Sequence, residues 1–361
     1  MRRPLITQSI IIKSIEFISF KISLIISDND SLFEDLQGSS SPQLPIQSIK
    51  LLGSNQFQIK ILGRDKKRNV VFSQLFESDG LGNFNFKIAV DDISNQIDLF
   101  QLFEVKQLPG IELYLGSQFM IDVTQSQKII ISDFDKTLVD TRYSNTKEVY
   151  RSLTSPLCNF PSLENSIAIL KNYIAGQYHP FILSASPHFY RGALRDWLYQ
   201  NQIFTAGIFL KDIRQLFSFS EGILTPKDFK VQGLFKMNHL LDILLMTGIP
   251  KKMVLIGDNF ESDPLIYVSL LQLMQDRHDP WDIWNRLRKD ASFKLTNRQN
   301  SHFLAKIYQL QNHLQNYKKQ YNTTPDLTIY IRKKNEDDQL KLPEKMLESY
   351  KDNLHPYMGA T

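Results

Sequence analysis

The stretch 129-IIISDFDKTLVDT-141 decides how this chain is read. Three isoleucines form a continuous apolar run, the pattern of a strand buried on both faces. The run ends in two carboxylates one residue apart, Asp133 and Asp135, followed by Thr137. Acidic groups at the mouth of a buried strand need partners, because burying an unpaired charge is costly.

Further apolar runs repeat the pattern C-terminal to it: 180-PFILSAS-186, 206-AGIFLKD-212, 252-KMVLIGD-258 and 327-LTIYIRK-333. Helical periodicities lie between them, in 189-FYRGALRDWLYQ-200, 235-FKMNHLLDILLMTG-248 and 263-DPLIYVSLLQLMQ-275. Strands alternating with helices predict an α/β domain with a doubly wound parallel sheet. Its expected extent is 126–335, with a polar helical insertion over about 275–322 and a charged, frayed tail over 336–361.

Residues 1–125 have another character. Alternating segments such as 56-QFQIKILGR-64 and 68-RNVVFSQLFESDGLGNFNFKIAV-90 are punctuated by Gly53, Gly63, Gly80 and Gly82, which suit hairpin turns. They predict a small antiparallel β-sandwich. Segment 36–47, LQGSSSPQLPIQ, reads as a loop. The apolar N-terminal stretch is broken by Lys13, Glu16 and Lys21, so it reads as one or two strands rather than a signal peptide or membrane span.

Composition sets broad bounds. The 361 residues are 42% hydrophobic and 22% charged, with a formal net charge of +4. That is ordinary for a globular protein and carries no clear nucleic-acid signature. Cys158 is the only cysteine, so no intramolecular disulfide forms, which fits a reducing compartment. Cys158 reads as a packed rather than a reactive thiol.

In an open parallel sheet, ligands bind at the carboxyl ends of the strands. Those ends carry Asp133, Asp135, Ser184, Asp258 and Asp263, and Lys236 opens the helix before the strand that ends in Asp258. Carboxylates gathered this closely call for a cation, and an all-oxygen donor set suits Mg²⁺. Asp133 has the chemistry of a nucleophile and Asp135 that of a general acid and base. Ser184 and Lys236 suit the phosphoryl oxygens, and Gly257 keeps the backbone slim beside the cation. Ser186 competes with Ser184, and Lys227 and Lys230 compete with Lys236, for these roles. Asp263 also reads as a cap for the helix beginning at Pro264. His188 reads either as a rim residue or as a merely exposed histidine. Segment 211–230 reads as an ordinary loop with a packed face, or as one that dips into a membrane interface.

The set Asp133-x-Asp135-x-Thr137, Ser184, Lys236 and Gly257-Asp258 with Asp263 resembles the haloacid-dehalogenase-like phosphohydrolases. That resemblance implies Asp133, Asp135 through its carbonyl, and Asp258 as Mg²⁺ ligands, with Asp263 as an outer ligand or its support. The stretches ILSASPHFY, GIFLKD, FKMNHLLDIL, PKKMVLIGDNFESDPLIY and LTIYIRK resemble, more narrowly, the actin-patch type of phosphatidate phosphatase and its bacterial relatives. ESDGLGNFNFKI is similar to a hairpin of the β domain that precedes that catalytic domain. The resemblance implies Mg²⁺-dependent hydrolysis of a lipid phosphomonoester such as phosphatidate, through an aspartyl-phosphate, by a cytoplasmic or peripheral membrane protein. It leaves the partner of the β domain unknown. Two positions depart from the family pattern: Lys136 where an acid is usual, and His188 where an aromatic is usual. With Thr137 they are the candidate substrate-rim residues. Alternatives are a phosphatase for a polynucleotide end, a phosphoprotein or a soluble metabolite, and a non-catalytic adaptor using the β domain. Little room for a lid between Thr137 and Ser184 favours a large substrate.

Overall fold

The computed structural model describes residues 2–28, 55–108, 110–141, 154–212, 232–275, 278–293 and 297–359. Segment 36–47, Gly53, Lys227, Lys230 and residues 213–230 of the 211–230 segment lie outside them. The chain divides into two compact units, Met1–Gln125 and Ser126–Thr361.

Among the described residues the first unit holds two four-stranded sheets. Strands β1 (Arg2–Lys13) and β2 (Phe17–Asp28) form an antiparallel hairpin from the apolar N-terminal stretch. Ser14 closes its turn, accepting from the Phe17 amide at 3.1 Å. β3 (Gln58–Arg64), β4 (Val70–Glu77), β5 (Asn83–Ala89), β6 (Leu99–Glu104), β7 (Leu113–Phe119) and the short β8 (Ile121–Asp122) complete the set. The sheet orders are β5-β2-β1-β8 and β4-β3-β6-β7. Pairing is antiparallel except between β1 and β8, which run parallel. Alternating residues such as Ile59, Ile61, Phe100 and Leu102 share one buried cluster with Ile18, Phe20, Ile22 and Phe84. Gly82 sits in a tight turn with φ 79°, but it joins β4 to β5 across the two sheets, so it is not the hairpin turn expected. Gly63 is in no turn: it lies inside β3, where a Cβ would stand 2.8 Å from Ile97 Cδ1, so its small size serves packing.

The second unit is α/β. Its six parallel strands among the described residues are β9 (Lys128–Asp133), β10 (His179–Pro187), β11 (Gly207–Lys211), β12 (Lys252–Asp258), β13 (Asp326–Lys333) and β14 (Leu354–Met358). Among the described residues the connecting helices are α1 (Glu164–Ala175), α2 (Arg191–Gln200), α3 (Gly233–Thr247), α4 (Asp263–Met274), α5 (Pro280–Leu287), α6 (Asn297–Tyr321) and α7 (Glu344–Ser349). Strand order is β11-β10-β9-β12-β13-β14. The chain steps outward from β9 to β11, returns beside β9 as β12, and steps outward the other way. The reversal falls between β9 and β12, the crevice where an open sheet of this kind takes its ligand.

Further features differ from the sequence reading, among them Cys158, which is exposed rather than packed. The segment expected to fray contains α7 and the edge strand β14, where Tyr357 and Ser166 share a 2.8 Å hydrogen bond. Strand β10 also runs past Ser184 to Pro187, with its register against β11 broken between those residues. The polar segment before β13 is helical as read. There Trp284 of α5 packs on Phe303 of α6 with ring centroids 4.8 Å apart.

Candidate active site

Ile129, Ile130 and Ile131 are buried in β9, which lies inside the sheet between β10 and β12. Its last residue is Asp133, at 0% exposure. Beyond it the chain turns tightly: the amides of Thr137, Leu138 and Val139 all donate to the Phe134 carbonyl. This turn folds Thr137 back so that its hydroxyl donates to Asp133 Oδ2 at 3.0 Å. Lys136 takes a left-handed conformation, φ 58°, uncommon for a residue with a side chain.

β12 delivers Asp258 and α4 delivers Asp263 to the same crevice. Carboxylate oxygens of Asp133, Asp258 and Asp263 lie within 4.8 Å of one another, all buried. Lys236, in the first turn of α3, answers them. Its Nζ stands 2.6 Å from Asp263 Oδ1, 3.1 Å from Asp133 Oδ1 and 3.2 Å from Glu261 Oε2. Asp133 Oδ1 makes this ion pair without hydrogen-bond geometry, and Asp258 Oδ2 has no hydrogen-bond partner. Asp258 Oδ1 accepts from the amides of Phe260 and Glu261, and the Asp258 amide donates to Asp263 Oδ2 at 3.3 Å. Gly257 is required here, since a Cβ would lie 2.5 Å from Asp263 Oδ2.

Asp135 is separately bound. Its Oδ1 accepts from Thr141 at 2.9 Å, and its Oδ2 accepts from Ser184 at 2.8 Å and Ser186 at 2.7 Å. Ser184 and Ser186, which compete in the sequence, both reach the same carboxylate oxygen. The Ser186 amide also donates to Ser184 Oγ at 2.9 Å. His188 opens the short turn after β10, and its Nδ1 lies 3.6 Å from Asp212 Oδ1 at the end of β11.

The electrostatics follow from burial and crowding. Burial, with Asp263, Asp258 and Glu261 nearby, lifts the Asp133 carboxyl well above the usual range against the pull of Lys236. Burial and Asp263 push Asp258 up to about 7. Asp263 is raised for the same first reason, burial, again against Lys236. Burial disfavours the Lys236 charge, yet Asp133, Asp263 and Glu261 outweigh it and hold the ammonium form. Burial also opposes the Glu261 charge, but Lys236 and Lys136 together hold that carboxyl below its usual value.

Asp133, Asp258 and Asp263 are suited to a divalent cation. They offer buried, hard oxygen donors, two of them without hydrogen bonds, at a density of negative charge that one lysine does not cancel. Sequence reasoning missed Glu261, Thr141 and Arg332. Glu261 was visible inside GDNFESD as an extra acid, but its second lysine, Lys136, is reached only through the left-handed turn. Arg332 Nη1 donates to the Lys136 carbonyl at 2.7 Å, a contact no spacing rule anticipates.

Comparisons with known proteins bear on this unit. No curated protein matches the chain. A solved Pnkp1/Rnl/Hen1 complex contains a chain 14% identical, covering 46% of this chain and 52% of that one, with a TM-score of 0.28. The β-glucuronidase of Parabacteroides merdae is 10% identical, covering 91% of this chain and 34% of that one, with a TM-score of 0.27. This chain thus spans about half of the first structure and about a third of the second. Likenesses this distant carry no argument. Residues 128–279 match the family described as "Phosphatidate phosphatase APP1, catalytic domain". That span runs from β9 through α4 and contains Asp133, Asp135, Ser184, Lys236, Asp258 and Asp263. The match covers residues 128–279, less than half of the chain, and makes that stretch similar to the phosphatidate phosphatase APP1 catalytic domain, a phosphoric monoester hydrolase domain.

Proposed function

We propose that the chain is a Mg²⁺-dependent phosphomonoester hydrolase of haloacid-dehalogenase-like architecture, acting through an aspartyl-phosphate, with phosphatidate as its favoured substrate. The observation that carries this reading is the Asp133 carboxylate. It is buried, oriented by Thr137 through Oδ2, and keeps Oδ1 3.1 Å from Lys236 without a hydrogen bond. An oxygen so placed is aimed and available for attack.

In the proposed reaction an Asp133 oxygen attacks phosphorus in line, and the bond to the leaving oxygen breaks. Protonated Asp135 supplies the proton that leaves with the alcohol. Asp135 then takes a proton from water, the water oxygen attacks phosphorus, and phosphate departs with Asp133 regenerated. Thr141, Ser184 and Ser186 hold Asp135 for this work, and their hydroxyls can reorient as its charge changes. Lys236 balances charge at Asp133 throughout. Asp133, Asp258, Asp263 and the Asp135 carbonyl are the candidate Mg²⁺ holders, and the ion, when bound, neutralises charge on the transferring group.

The lipid assignment rests on the family, whose named activity is on phosphatidate. Among the described residues no helix is long and apolar enough to cross a membrane, so a lipid substrate would be met at a bilayer surface. A phosphate-release assay with Mg²⁺ on phosphatidate, lysophosphatidate, a nucleotide and a phosphopeptide tests the reading. Release from phosphatidate above the others, abolished in Asp133→Asn, is expected. No release from any of them, or an Asp133→Asn variant as active as the parent, defeats it.

A further inference from the structure

Lys136 departs from the family pattern and is held by every part of its structure. Its amide donates to the Val139 carbonyl at 2.7 Å and its carbonyl accepts from Arg332 at 2.7 Å. With φ fixed at 58°, the side chain is directed to Glu261, whose Oε1 lies 3.3 Å from Nζ. The other oxygen of that carboxylate, Oε2, lies 3.2 Å from Lys236 Nζ. One carboxylate therefore forks over two ammonium groups, one of which stands beside Asp133.

The two lysines are not equivalent. Lys236 is sealed in, with a side chain 1% exposed and Asp263 at 2.6 Å. The Lys136 side chain is 24% exposed and that of Glu261 is 13% exposed. Lys136–Glu261 is thus the looser contact of the fork, on its solvent side. Acids outnumber lysines on this rim: Asp133, Asp135, Asp258, Glu261 and Asp263 face Lys136 and Lys236. An entering phosphate dianion meets repulsion unless a cation is released to it. Two oxygens of a phosphoryl group are spaced much like those of a carboxylate, so they fit the same fork.

We propose that Lys136 is a phosphate-binding residue held in reserve by Glu261, and that the phosphoryl group displaces the Glu261 carboxylate from it on entry. The proposal rests on the hydrolase reading for its biological meaning, but the binding event stands apart from turnover. Glu261 is then an internal competitor, and its influence on phosphate affinity runs through Lys136. Lys136 is also a determinant of substrate preference, because it adds a second cation beside Lys236.

Calorimetric titration of inorganic phosphate into the full chain with saturating Mg²⁺ tests this on the parent, K136Q, E261Q and the double variant. K136Q should bind phosphate about tenfold more weakly, the scale of one charge-assisted hydrogen bond. E261Q should bind several-fold more tightly, and its gain should be clearly smaller in the K136Q background, where only the contact to Lys236 and the general repulsion remain to be relieved, a non-additive cycle. K136R keeps the cation and should restore most of the binding, which separates lost charge from a folding defect. No phosphate binding by the parent, K136Q binding as the parent does, or an equal E261Q effect in both backgrounds each overturns the proposal. Failure of the hydrolase reading shows separately, as no phosphate release by the parent from any phosphomonoester while the binding cycle still reports on Lys136.

Discussion

Lys236 Nζ stands 2.6 Å from Asp263 Oδ1, and neither side chain is more than 1% exposed. The same ammonium reaches Asp133 at 3.1 Å and Glu261 at 3.2 Å, so one cation serves three carboxylates. Removing one partner from a buried ion pair costs about 3–5 kcal/mol, since the remaining charge is stranded. Lys236→Met should therefore lower the melting temperature by roughly 10 °C in a chain of this size. Mg²⁺ should return part of the loss, because it replaces the missing positive charge. Calorimetric melting with and without Mg²⁺ checks both halves. An unchanged melting temperature in chelator counts against this account of the cluster.

The Thr137 hydroxyl makes one bond that fixes the Asp133 carboxylate, 3.0 Å to Oδ2. Thr137→Val keeps the branched shape and removes the donor. If Asp133 is the nucleophile, the loss falls on orientation in the transition state rather than on ground-state binding. kcat should drop by about tenfold, the scale of one hydrogen bond, with KM changing less than threefold. Steady-state kinetics on p-nitrophenyl phosphate separates the two parameters. A rise in KM at constant kcat would place Thr137 in binding instead.

Much of this site was legible in the sequence, for a physical reason. A strand buried on both faces leaves an unbroken apolar run, so an acid at its end stands out, as Asp133 and Asp258 do. The helix periodicity after 232 likewise put Lys236 at a helix start. The missed features depend on contacts across long sequence separations. Lys136 and Glu261 are 125 residues apart, and Lys136 and Arg332 are 196 apart. β14 was hidden because LHPYM is short and contains Pro356, a residue confined to strand edges and ends, and β14 is an edge strand. Gly63 read as a turn because glycine usually marks one, whereas here it admits Ile97.

The raised carboxyls give a pH dependence with a definite sign. Asp258 is pushed up to about 7 by burial first and Asp263 second. An acid whose folded pKa lies above its unfolded value stabilises the fold at low pH and loses that contribution as pH rises through the folded value. The metal-free chain should thus lose this contribution between about pH 4 and pH 7. Ligation needs the deprotonated carboxylate, so Mg²⁺ binding releases protons. Apparent Mg²⁺ affinity should therefore rise with pH through about 7 as Asp258 loses its proton. Mg²⁺ titrations at a series of pH values provide the measurement. An affinity that is flat from pH 5 to pH 8 contradicts the assignment.

Gly257 stands where β12 delivers Asp258, and its missing side chain leaves room for Asp263. A Cβ there would lie 2.5 Å from Asp263 Oδ2 and 2.7 Å from Tyr267 Cε2. Neither neighbour can give way cheaply. Asp263 is tied to Lys236 and to the Asp258 amide, and the Tyr267 hydroxyl donates to the Ile256 carbonyl at 3.2 Å. Overpacking of this kind costs about 1–3 kcal/mol, and here the displaced atoms are the candidate metal ligands themselves. Gly257→Ala should therefore melt several degrees lower, bind Mg²⁺ more weakly and lose most phosphatase activity. Gly80→Ala is the matched control, because a Cβ there meets nothing within 4 Å. Its melting temperature and its activity should both stay within error of the parent. If Gly257→Ala behaves like Gly80→Ala, Asp263 is not held where the cluster needs it, and the argument for a cation at Asp133, Asp258 and Asp263 loses its steric support.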